Sequence, residues 1–487
     1  MDINIKNKER ITDIYTIICL LVIIVITIYM IIIPPFVGIA NNGDFERFAN
    51  KIGIFYPFNA WSEENSNNAF FHNTIAKYVI KPSIDTGFFS SYELIACISR
   101  GLCSLFSKTG EYDIRFMGIT SFIFTYIGIS LLFYAIRDLK NSTRMIIQTI
   151  VTFCVLDPYF VQFYNSFYSE QGIFLFGFYF VTFFIITCKN FTYISFALEL
   201  GFALLMSLAK AQYIVILAPC LLLVLLQFFF CKFKKSSLIV VLFFLFIVGM
   251  IPQLMPNIGV GNSHKDANNL HYNVIMQRLL RLSEDPQSQL RNLGFSEEDI
   301  EVINNYIGTN AFTSSFQSDY PEIASKFDVK MELQLLINEP MLIIKSLMDV
   351  EDNIFGDMGL GNFAESEYAD MKCQSLGVMS KFAELFITKS FIFYAAVFIL
   401  AIGFGFMKLR KKEPISIVWL FIIGSAILLY MVVPFGDGNE DSKHMYAASI
   451  ALEIVYIYVI FNIAMFCMKF IKPYFSNYNW FKGKIRN

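Results

Sequence analysis

Long apolar runs, separated by short polar stretches, dominate the chain. The run "TIICLLVIIVITIYMIIIPPF" (16–36) contains no charged residue, and a run of about 17–25 residues is long enough for a helix to cross about 30 Å of hydrocarbon. Because open strand edges cannot satisfy their backbone in lipid, the pattern predicts an all-α polytopic membrane protein with about ten transmembrane helices. The predicted spans are 12–33, 115–136, 145–162, 171–188, 191–208, 211–231, 237–255, 387–407, 415–435 and 445–468.

The stretch 88–106, "FFSSYELIACISRGLCSLF", is ambiguous, because Glu93 and Arg100 interrupt its apolar residues. Lys and Arg collect on the cytoplasmic side of membrane proteins. If 88–106 stays on the surface, every basic cluster lies on the same side of the membrane. If 88–106 crosses, the clusters from Arg137 onward lie on the opposite side from the N-terminal cluster. We therefore predict an amphipathic helix at the outer interface and both termini in the cytoplasm.

This topology predicts three parts. Residues 1–255 form an N-terminal transmembrane module of seven helices, with a first outer loop at about 34–114. Residues 256–386 form a mostly helical extracytoplasmic domain, in which Ser296 is a predicted helix N-cap and Pro340 a helix start. Residues 387–487 form a C-terminal module of three helices with a basic cytoplasmic tail.

Composition narrows the class of partner. The chain is 56% hydrophobic with a net charge of −2, which argues against a nucleic-acid partner and indicates membrane lipid instead. Its nine cysteines show neither a CxxC pair nor a metal-ligand spacing, so no disulfide framework or zinc site is expected. The sequence thus predicts a multi-pass protein of the cell membrane.

Four polar stretches at the predicted outer ends of the spans remain to be explained. A structural explanation exists for each: Asp44 as a helix cap paired with Arg47, an aromatic belt around Tyr168, a snorkelling Lys210, and an ordinary polar hairpin before the last span. The stretches are "NNGDFERF" (41–48), "FYNSFYSEQG" (163–172), "SLAKAQYI" (207–214) and "PFGDGNEDSKHMYAA" (434–448).

A chemical interpretation is the alternative. Desolvation at the lipid boundary would raise the basicity of Asp44, which suits a general base or a ligand of a divalent cation. Glu170 is costly at the start of a span unless it faces protein, water or a ligand. Lys210 would suit a lipid phosphate, Lys443 and His444 would meet phosphate oxygens, and Asp437 would orient a sugar hydroxyl or a metal.

Together the four stretches resemble those of GT-C-type membrane glycosyltransferases, in particular bacterial surface-glycan hexosyltransferases of the WsfD type. The segment "YNVIMQRLLRLSEDPQSQLRNLGFSEED" (272–299) is similar to the large loop of that family. The chain departs from the family in the unusual density of acids before its last span. The resemblance implies transfer of a hexose from a polyprenyl-phosphate carrier to a glycan, glycolipid or protein acceptor outside the cytoplasm.

The resemblance also implies roles for particular residues. Asp44 would be the catalytic base of an inverting displacement, with Glu46 as second choice. No organic cofactor is expected, and participation of a divalent metal stays open. The expected substrate-binding residues are Asn42, Glu46, Arg47, Tyr168, Glu170, Lys210, Gln212, Asp437, Lys443 and His444.

Two other functions compete. A transporter of lipid-linked glycans would carry charges in the middle of its spans, and a polysaccharide polymerase or ligase would carry more outer arginines. The glycosyltransferase hypothesis makes a geometric prediction that these alternatives do not require: Asp44, Glu170, Lys210 and Asp437 should meet at one site.

Overall fold

The computed structural model describes residues 2–41, 43–59, 62, 74–107, 110–230, 239, 246–247, 269–354, 360–363, 390–409, 414–436 and 441–476. Most of these residues are in helices, and six of the described helices are long and apolar enough to cross a membrane. The predicted fold class, an all-α polytopic membrane protein, is confirmed. The six candidate spans are Arg10–Ile32, Arg115–Ala135, Ser169–Lys189, Phe391–Lys408, Ile415–Gly436 and Tyr446–Met468.

The remaining predicted spans have different outcomes. Those at 145–162, 191–208 and 211–231 coincide with helices shorter than a full span. The span at 237–255 lies outside the described residues apart from 239, 246 and 247. The helices of the first half are α1 Asp2–Ile32, α2 Phe45–Ala49, α3 Glu93–Phe106, α4 Arg115–Ala135, α5 Asn141–Leu156, α6 Pro158–Val161, α7 Gly172–Lys189, α8 Tyr193–Ser207 and α9 Leu217–Phe230.

The second half contains short helices followed by long ones. A π-helical turn, Asn273–Leu279, precedes α10. The helices are α10 Leu280–Leu282, α11 Pro286–Asn292, α12 Glu297–Asn304, α13 Phe316–Asp319, α14 Pro321–Ala324, α15 Val329–Asn338, α16 Met341–Asp349, α17 Phe391–Leu409, α18 Pro414–Gly436, α19 Asp441–His444 and α20 Tyr446–Ser476.

Helix α3 confirms the helical part of the prediction for 88–106. It has 14 residues, about 21 Å of helix, which is too short to cross about 30 Å of hydrocarbon. Ile95, Ser99 and Cys103 are buried while Leu94 and Leu105 are exposed, so the helix is amphipathic. Its N-terminal end is fixed to the turn after α8, because Ser90 Oγ donates to the Ala209 carbonyl oxygen at 2.6 Å.

Five short strands were not predicted from the sequence, because strands of two to four residues are too brief for an alternating pattern. Strands β2 (Ile54–Phe55), β3 (Lys77–Ile80) and β4 (Glu111–Asp113) form one antiparallel sheet. Strand β1 (Val37–Ile39) pairs antiparallel with β5 (Leu360–Phe363), and Val37 lies opposite Phe363. This pairing brings the two longest connections to the same end of the helix bundle, as the predicted topology requires.

A separate hydrophobic core lies in the region 269–354, within the predicted helical domain 256–386. Tyr272, Leu279, Phe316 and Leu335 are among its fully buried members. The predicted N-cap is confirmed, since the Asp299 backbone N–H donates to Ser296 Oγ at 3.1 Å.

One ion pair in this region predicts a pH dependence of stability. His271 Nδ1 lies 2.7 Å from Glu332 Oε1, and this hydrogen bond raises the pKa of His271 above its ordinary value. Burial raises the pKa of Glu332, although His271 opposes that effect. Both groups therefore bind a proton more tightly when folded, and the stabilisation is complete below the unfolded pKa and lost as pH rises through the folded pKa.

We expect the thermal midpoint of the full chain to fall as the pH rises from below the ordinary histidine pKa through the raised pKa of folded His271. His271→Gln should show a smaller fall over the same interval when both proteins are unfolded in the same buffers. Equal slopes for the two proteins would show that this pair does not contribute.

Candidate functional site

The polar stretches singled out in the sequence meet at one end of the helix bundle, where α1 and α8 end and α7 and α20 begin. Contacts link five charged side chains and a histidine from all four stretches. Asn42 and Asp437 lie outside the described residues. The linked residues, here called the polar cluster, are Asp44, Arg47, Glu170, Lys210, Lys443 and His444.

Asp44 is held at the start of α2, but not as its cap. The Asn41 Oδ1 atom accepts from the backbone N–H groups of Gly43 at 2.8 Å and Phe45 at 3.0 Å. Asp44 makes no capping hydrogen bond with its side chain, so the predicted cap is wrong while the predicted pair with Arg47 is confirmed. Because Asn41 satisfies the helix start, the Asp44 carboxylate turns to cations instead.

The second stretch is anchored to the first by two buried side chains. Asn165 Nδ2 donates to the carbonyl oxygens of Ile31 at 3.1 Å and Val37 at 2.7 Å. The Tyr168 hydroxyl donates to the Ala40 carbonyl oxygen at 3.1 Å. Tyr168 is only 3% exposed, so its interpretation as part of a lipid-facing aromatic belt is wrong: it fixes the chain that leads into Asp44.

Glu170 and Lys210 form the most buried ion pair of the polar cluster. Lys210 Nζ lies 2.5 Å from Glu170 Oε1, and the two side chains are 16% and 2% exposed respectively. Lys210 therefore does not snorkel to solvent. The pair joins the start of α7 to the turn after α8. Glu170 is tolerated at the beginning of a span because its charge is paired within the protein.

Lys443 and His444, at the end of α19, close the polar cluster from the far end of the chain. Lys443 Nζ lies 2.5 Å from Asp44 Oδ2 and 5.4 Å above the Tyr168 ring. His444 Nδ1 lies 3.2 Å from Lys210 Nζ and 2.8 Å from Gln212 Oε1. Because an ammonium only donates and an amide oxygen only accepts, Nδ1 serves one of these partners at a time.

The charges of the polar cluster act on one another. Among the described residues, Arg47, Lys210 and Lys443 lie close to the carboxylates of Asp44 and Glu170. Burial would raise the pKa of Asp44, but the charges of Lys443, Arg47 and Lys210 outweigh it and hold the pKa well below its usual range. The expected rise in Asp44 basicity is therefore wrong for this state of the protein.

Glu46 was expected to bind substrate beside Asp44, and a divalent metal was considered for the same site. Glu46 lies on α2, is half-buried and acts electrostatically on Tyr56. Among the residues that the structure describes, no three His, Cys, Asp or Glu side chains gather in a way that could hold a metal ion.

An apolar cavity of about 160 Å³ lies among the helices, and its lining includes Ile173 and Ile450, which follow Glu170 and His444 by three and six positions. Helices α4, α5, α7, α18 and α20 all contribute to its lining, in which Ser425 is a polar exception. Phe174 lines the cavity and packs edge-on against Tyr446 with ring centroids 5.5 Å apart. The Tyr446 hydroxyl donates to Gln171 Oε1 at 2.6 Å, so one tyrosine separates the cavity from the residue next to Glu170.

Sequence reasoning missed three residues. Gln171 and Tyr446 lay inside the quoted stretches, but nothing in their spacing indicated that they contact each other. Glu453 is 1% exposed inside α20, and neither of its carboxylate oxygens has a hydrogen-bond partner among the described residues. A lone acid in the run "YAASIALEIV" (446–455) was the available signal for it.

Close packing at Gly172 provides a test of how the polar cluster is positioned. A Cβ added at Gly172 would lie 2.7 Å from the Ala209 Cβ, nearer than packed atoms approach. Since these residues are close neighbours of Glu170 and Lys210 in the chain, Gly172→Ala should push the ion pair apart. We expect a lower thermal midpoint. Gly201→Ala is the matched control, because a Cβ there has no neighbour within 4 Å; equal midpoints for the two variants would contradict this account.

The fold and the polar cluster define a polytopic membrane protein with a buried polar site at the ends of its helices. The family described as YfdI N-terminal transmembrane domain matches residues 3–479, and the chain belongs to that family. No curated protein and no solved structure matches the chain.

Proposed function

We propose that the protein is a GT-C-type membrane glycosyltransferase that moves a hexose from a polyprenyl-phosphate carrier to a surface glycan, glycolipid or protein acceptor. The observation that supports this proposal most is the convergence of Asp44, Glu170, Lys210, Lys443 and His444 beside an apolar cavity. The finer kinship with surface-glycan hexosyltransferases of the WsfD type is part of the same proposal.

The donor's phosphate would occupy the positive part of the polar cluster. A polyprenyl-phosphate leaving group gains negative charge as its bond to the sugar breaks, so catalysis needs fixed positive charge there rather than a strong acid. Lys443 and Arg47 contact Asp44, and Lys210 lies next to His444. The fold gathers these groups through contacts within the chain, which reduces the cost of ordering them around a phosphate.

The hydrocarbon tail of the donor would enter the apolar cavity. A lipid-linked sugar has its tail in the bilayer and its head group at the interface, so its enzyme needs an apolar space that adjoins a polar one. The cavity lining is apolar, and Tyr446 lies between it and Gln171. An isoprenoid chain in the cavity would be removed from water without the burial of a polar group of the donor.

Asp44 would act as general base once the donor has bound. Lys443 and Arg47 keep its carboxylate a weak base. A phosphate that binds the same cations would offset their field at Asp44 and so raise the basicity of this carboxylate. Asp44 then takes the proton of the acceptor hydroxyl while the hydroxyl oxygen forms a bond to the anomeric carbon. The bond from that carbon to the phosphate oxygen breaks, and polyprenyl phosphate leaves with the electron pair. An in-line displacement inverts the anomeric centre.

The positive-inside pattern supports an orientation for this chemistry. With both termini cytoplasmic, the polar cluster faces the extracytoplasmic side of the cell membrane. Labelling from outside intact cells tests it: Asp85→Cys lies on the same connection as Asp44 and is exposed. Its modification by a membrane-impermeant thiol reagent supports the orientation, and its protection until lysis contradicts it.

The function itself is tested by incubating the purified full-length protein with polyprenyl-phosphate hexoses and measuring released polyprenyl phosphate. Release that requires an added cell-envelope acceptor supports the proposal. Consumption of only pyrophosphate-linked carriers would indicate a polymerase or ligase instead.

Glu453 favours a second candidate function. A buried carboxylate without a hydrogen-bond partner among the described residues, inside a spanning helix, is typical of a transport or proton pathway. A lipid-linked glycan transporter would move its substrate between leaflets of a reconstituted vesicle and leave the sugar–phosphate bond intact. Detection of that movement, with no release of polyprenyl phosphate, would favour transport over glycosyl transfer.

A further inference from the structure

Helices α15 and α16 are apolar on two faces. One face is buried: Met331, Leu335 and Leu342 pack into the core of the region 269–354, and Leu347 packs into the core of the helix bundle. The opposite face carries a row of exposed large apolar side chains at spacings of three or four residues, which places them along one side of each helix. This second face, here called the apolar stripe, comprises Val329, Leu333, Ile337, Met341, Ile344 and Met348.

The rest of the same region has an ordinary polar exterior. Helix α12 buries Ile300 and Ile303 but exposes Glu298 and Glu301. Within the described residues 269–354, Phe312 is the sole exposed large apolar residue outside the apolar stripe. A helix that is apolar on both faces indicates a second apolar environment, and contiguous exposed apolar surface marks an interaction site.

Two contacts show the height of α16 relative to the spanning helices. The Tyr430 hydroxyl of α18 donates to the Leu347 carbonyl oxygen at 2.8 Å. Tyr430 precedes the last residue of α18, Gly436, by six positions, or about 9 Å of helix. The Phe391 backbone N–H, at the start of α17, donates to Glu351 Oε2 at 2.6 Å. The C-terminal end of helix α16 therefore lies beside the ends of two spanning helices and not above them.

We infer that the apolar stripe enters the boundary between the headgroups and acyl chains of a phospholipid bilayer, in the leaflet where α17 begins and α18 ends. Helix α17, whose first residue Phe391 contacts Glu351 just after α16, also exposes Ile392 and Ile399. An interfacial helix buries its apolar face about 5–10 Å into that boundary, which agrees with the depth at which Tyr430 holds Leu347. This inference does not depend on the proposed enzymatic function.

A bilayer fits the stripe better than a second copy of the chain. Stable protein interfaces bury about 800 Å² on each partner, which is more than a row one side chain wide offers. Lipid needs no complementary shape, and one exposed row on each of two short helices, of 10 and 9 residues, is sufficient for it.

The test places a fluorescent reporter on the stripe of the full-length protein. Ile337→Trp on α15 and Met348→Trp on α16 are each reconstituted in phosphatidylcholine vesicles with plain or brominated acyl chains. Glu301→Trp, on the polar face of α12, is the control. The fluorescence of the added tryptophan is obtained by subtracting the signal of the parent protein, which contains three tryptophans.

We expect brominated chains to remove most of the added fluorescence at both stripe positions and little at position 301. Two results would overturn the inference. Unquenched emission that shifts with the protein-to-lipid ratio would indicate a second copy on the stripe, and unquenched emission at every ratio would indicate another segment of the same chain. Because both positions are exposed and lie on different helices, failure of one variant to fold leaves the other to decide.

Discussion

Replacing Asp44 by asparagine is expected to slow the release of polyprenyl phosphate by about 10²–10⁴-fold, the usual contribution of a positioned general base. The amide keeps the size of the carboxylate but cannot take the proton of the acceptor hydroxyl. It also removes the anion that Lys443 and Arg47 contact in the ligand-free protein. The variant should therefore bind the donor at least as tightly as the parent while turning it over slowly.

The measurement is the initial rate of release at saturating donor, together with donor affinity. Asp85→Asn is the matched control: Asp85 lies on the same connection and is exposed, and an amide oxygen can still accept from the Gly87 backbone N–H as Asp85 Oδ1 does at 3.0 Å. Full activity of Asp44→Asn would remove Asp44 from the mechanism, and weakened binding with an unchanged rate would make it a binding residue.

Breaking the ion pair between Glu170 and Lys210 is expected to be the largest stability effect in the protein. Removing one partner of a buried pair leaves an uncompensated charge and costs about 3–5 kcal/mol. We therefore expect Glu170→Leu and Lys210→Met each to lower the thermal midpoint strongly. The double variant should recover much of the loss, because replacing both charges by apolar side chains is often nearly neutral.

A pair at the opposite end of the bundle serves as control. Lys189 Nζ lies 2.9 Å from Asp138 Oδ2, with the side chains 32% and 65% exposed. Exposed pairs contribute about 0–1 kcal/mol, so Lys189→Met should change the midpoint little. A double variant no more stable than Glu170→Leu alone would show that the two charges do not act as a pair.

The spanning helices could be predicted from the sequence because each is a local property of about twenty consecutive residues. The run 16–36 and the run before Lys189 are apolar whatever they pack against. The helices at 141–156 and 193–207 were predicted equally well in place, but their lengths were overestimated. Hydropathy alone does not show where a chain bends, as it does between Leu156 and Pro158.

The residues of the polar cluster could also be predicted, whereas the contacts between them could not. A charge next to a span is visible in the sequence, so Asp44, Glu170, Lys210 and Lys443 were found. Which carboxylate meets which cation depends on helix packing, and Asp44 meets Lys443 across 399 positions of the chain. The direction of the pKa shift of Asp44 followed from that pairing, so the desolvation argument alone was wrong.

The pairing of β1 with β5 and the contact of Asp44 with Lys443 can form only late in the synthesis of the protein. The ribosome adds about 5–20 residues per second, so the 399 positions between the two charges correspond to about 20–80 s of translation. During that time Asp44 can pair with Arg47 but not with Lys443, and β1 gains its partner β5 only in the last part of the interval. A nascent or truncated chain thus carries Asp44 without the lysine that it contacts in the finished protein, and the polar cluster comes together only when nearly the whole polypeptide has been inserted.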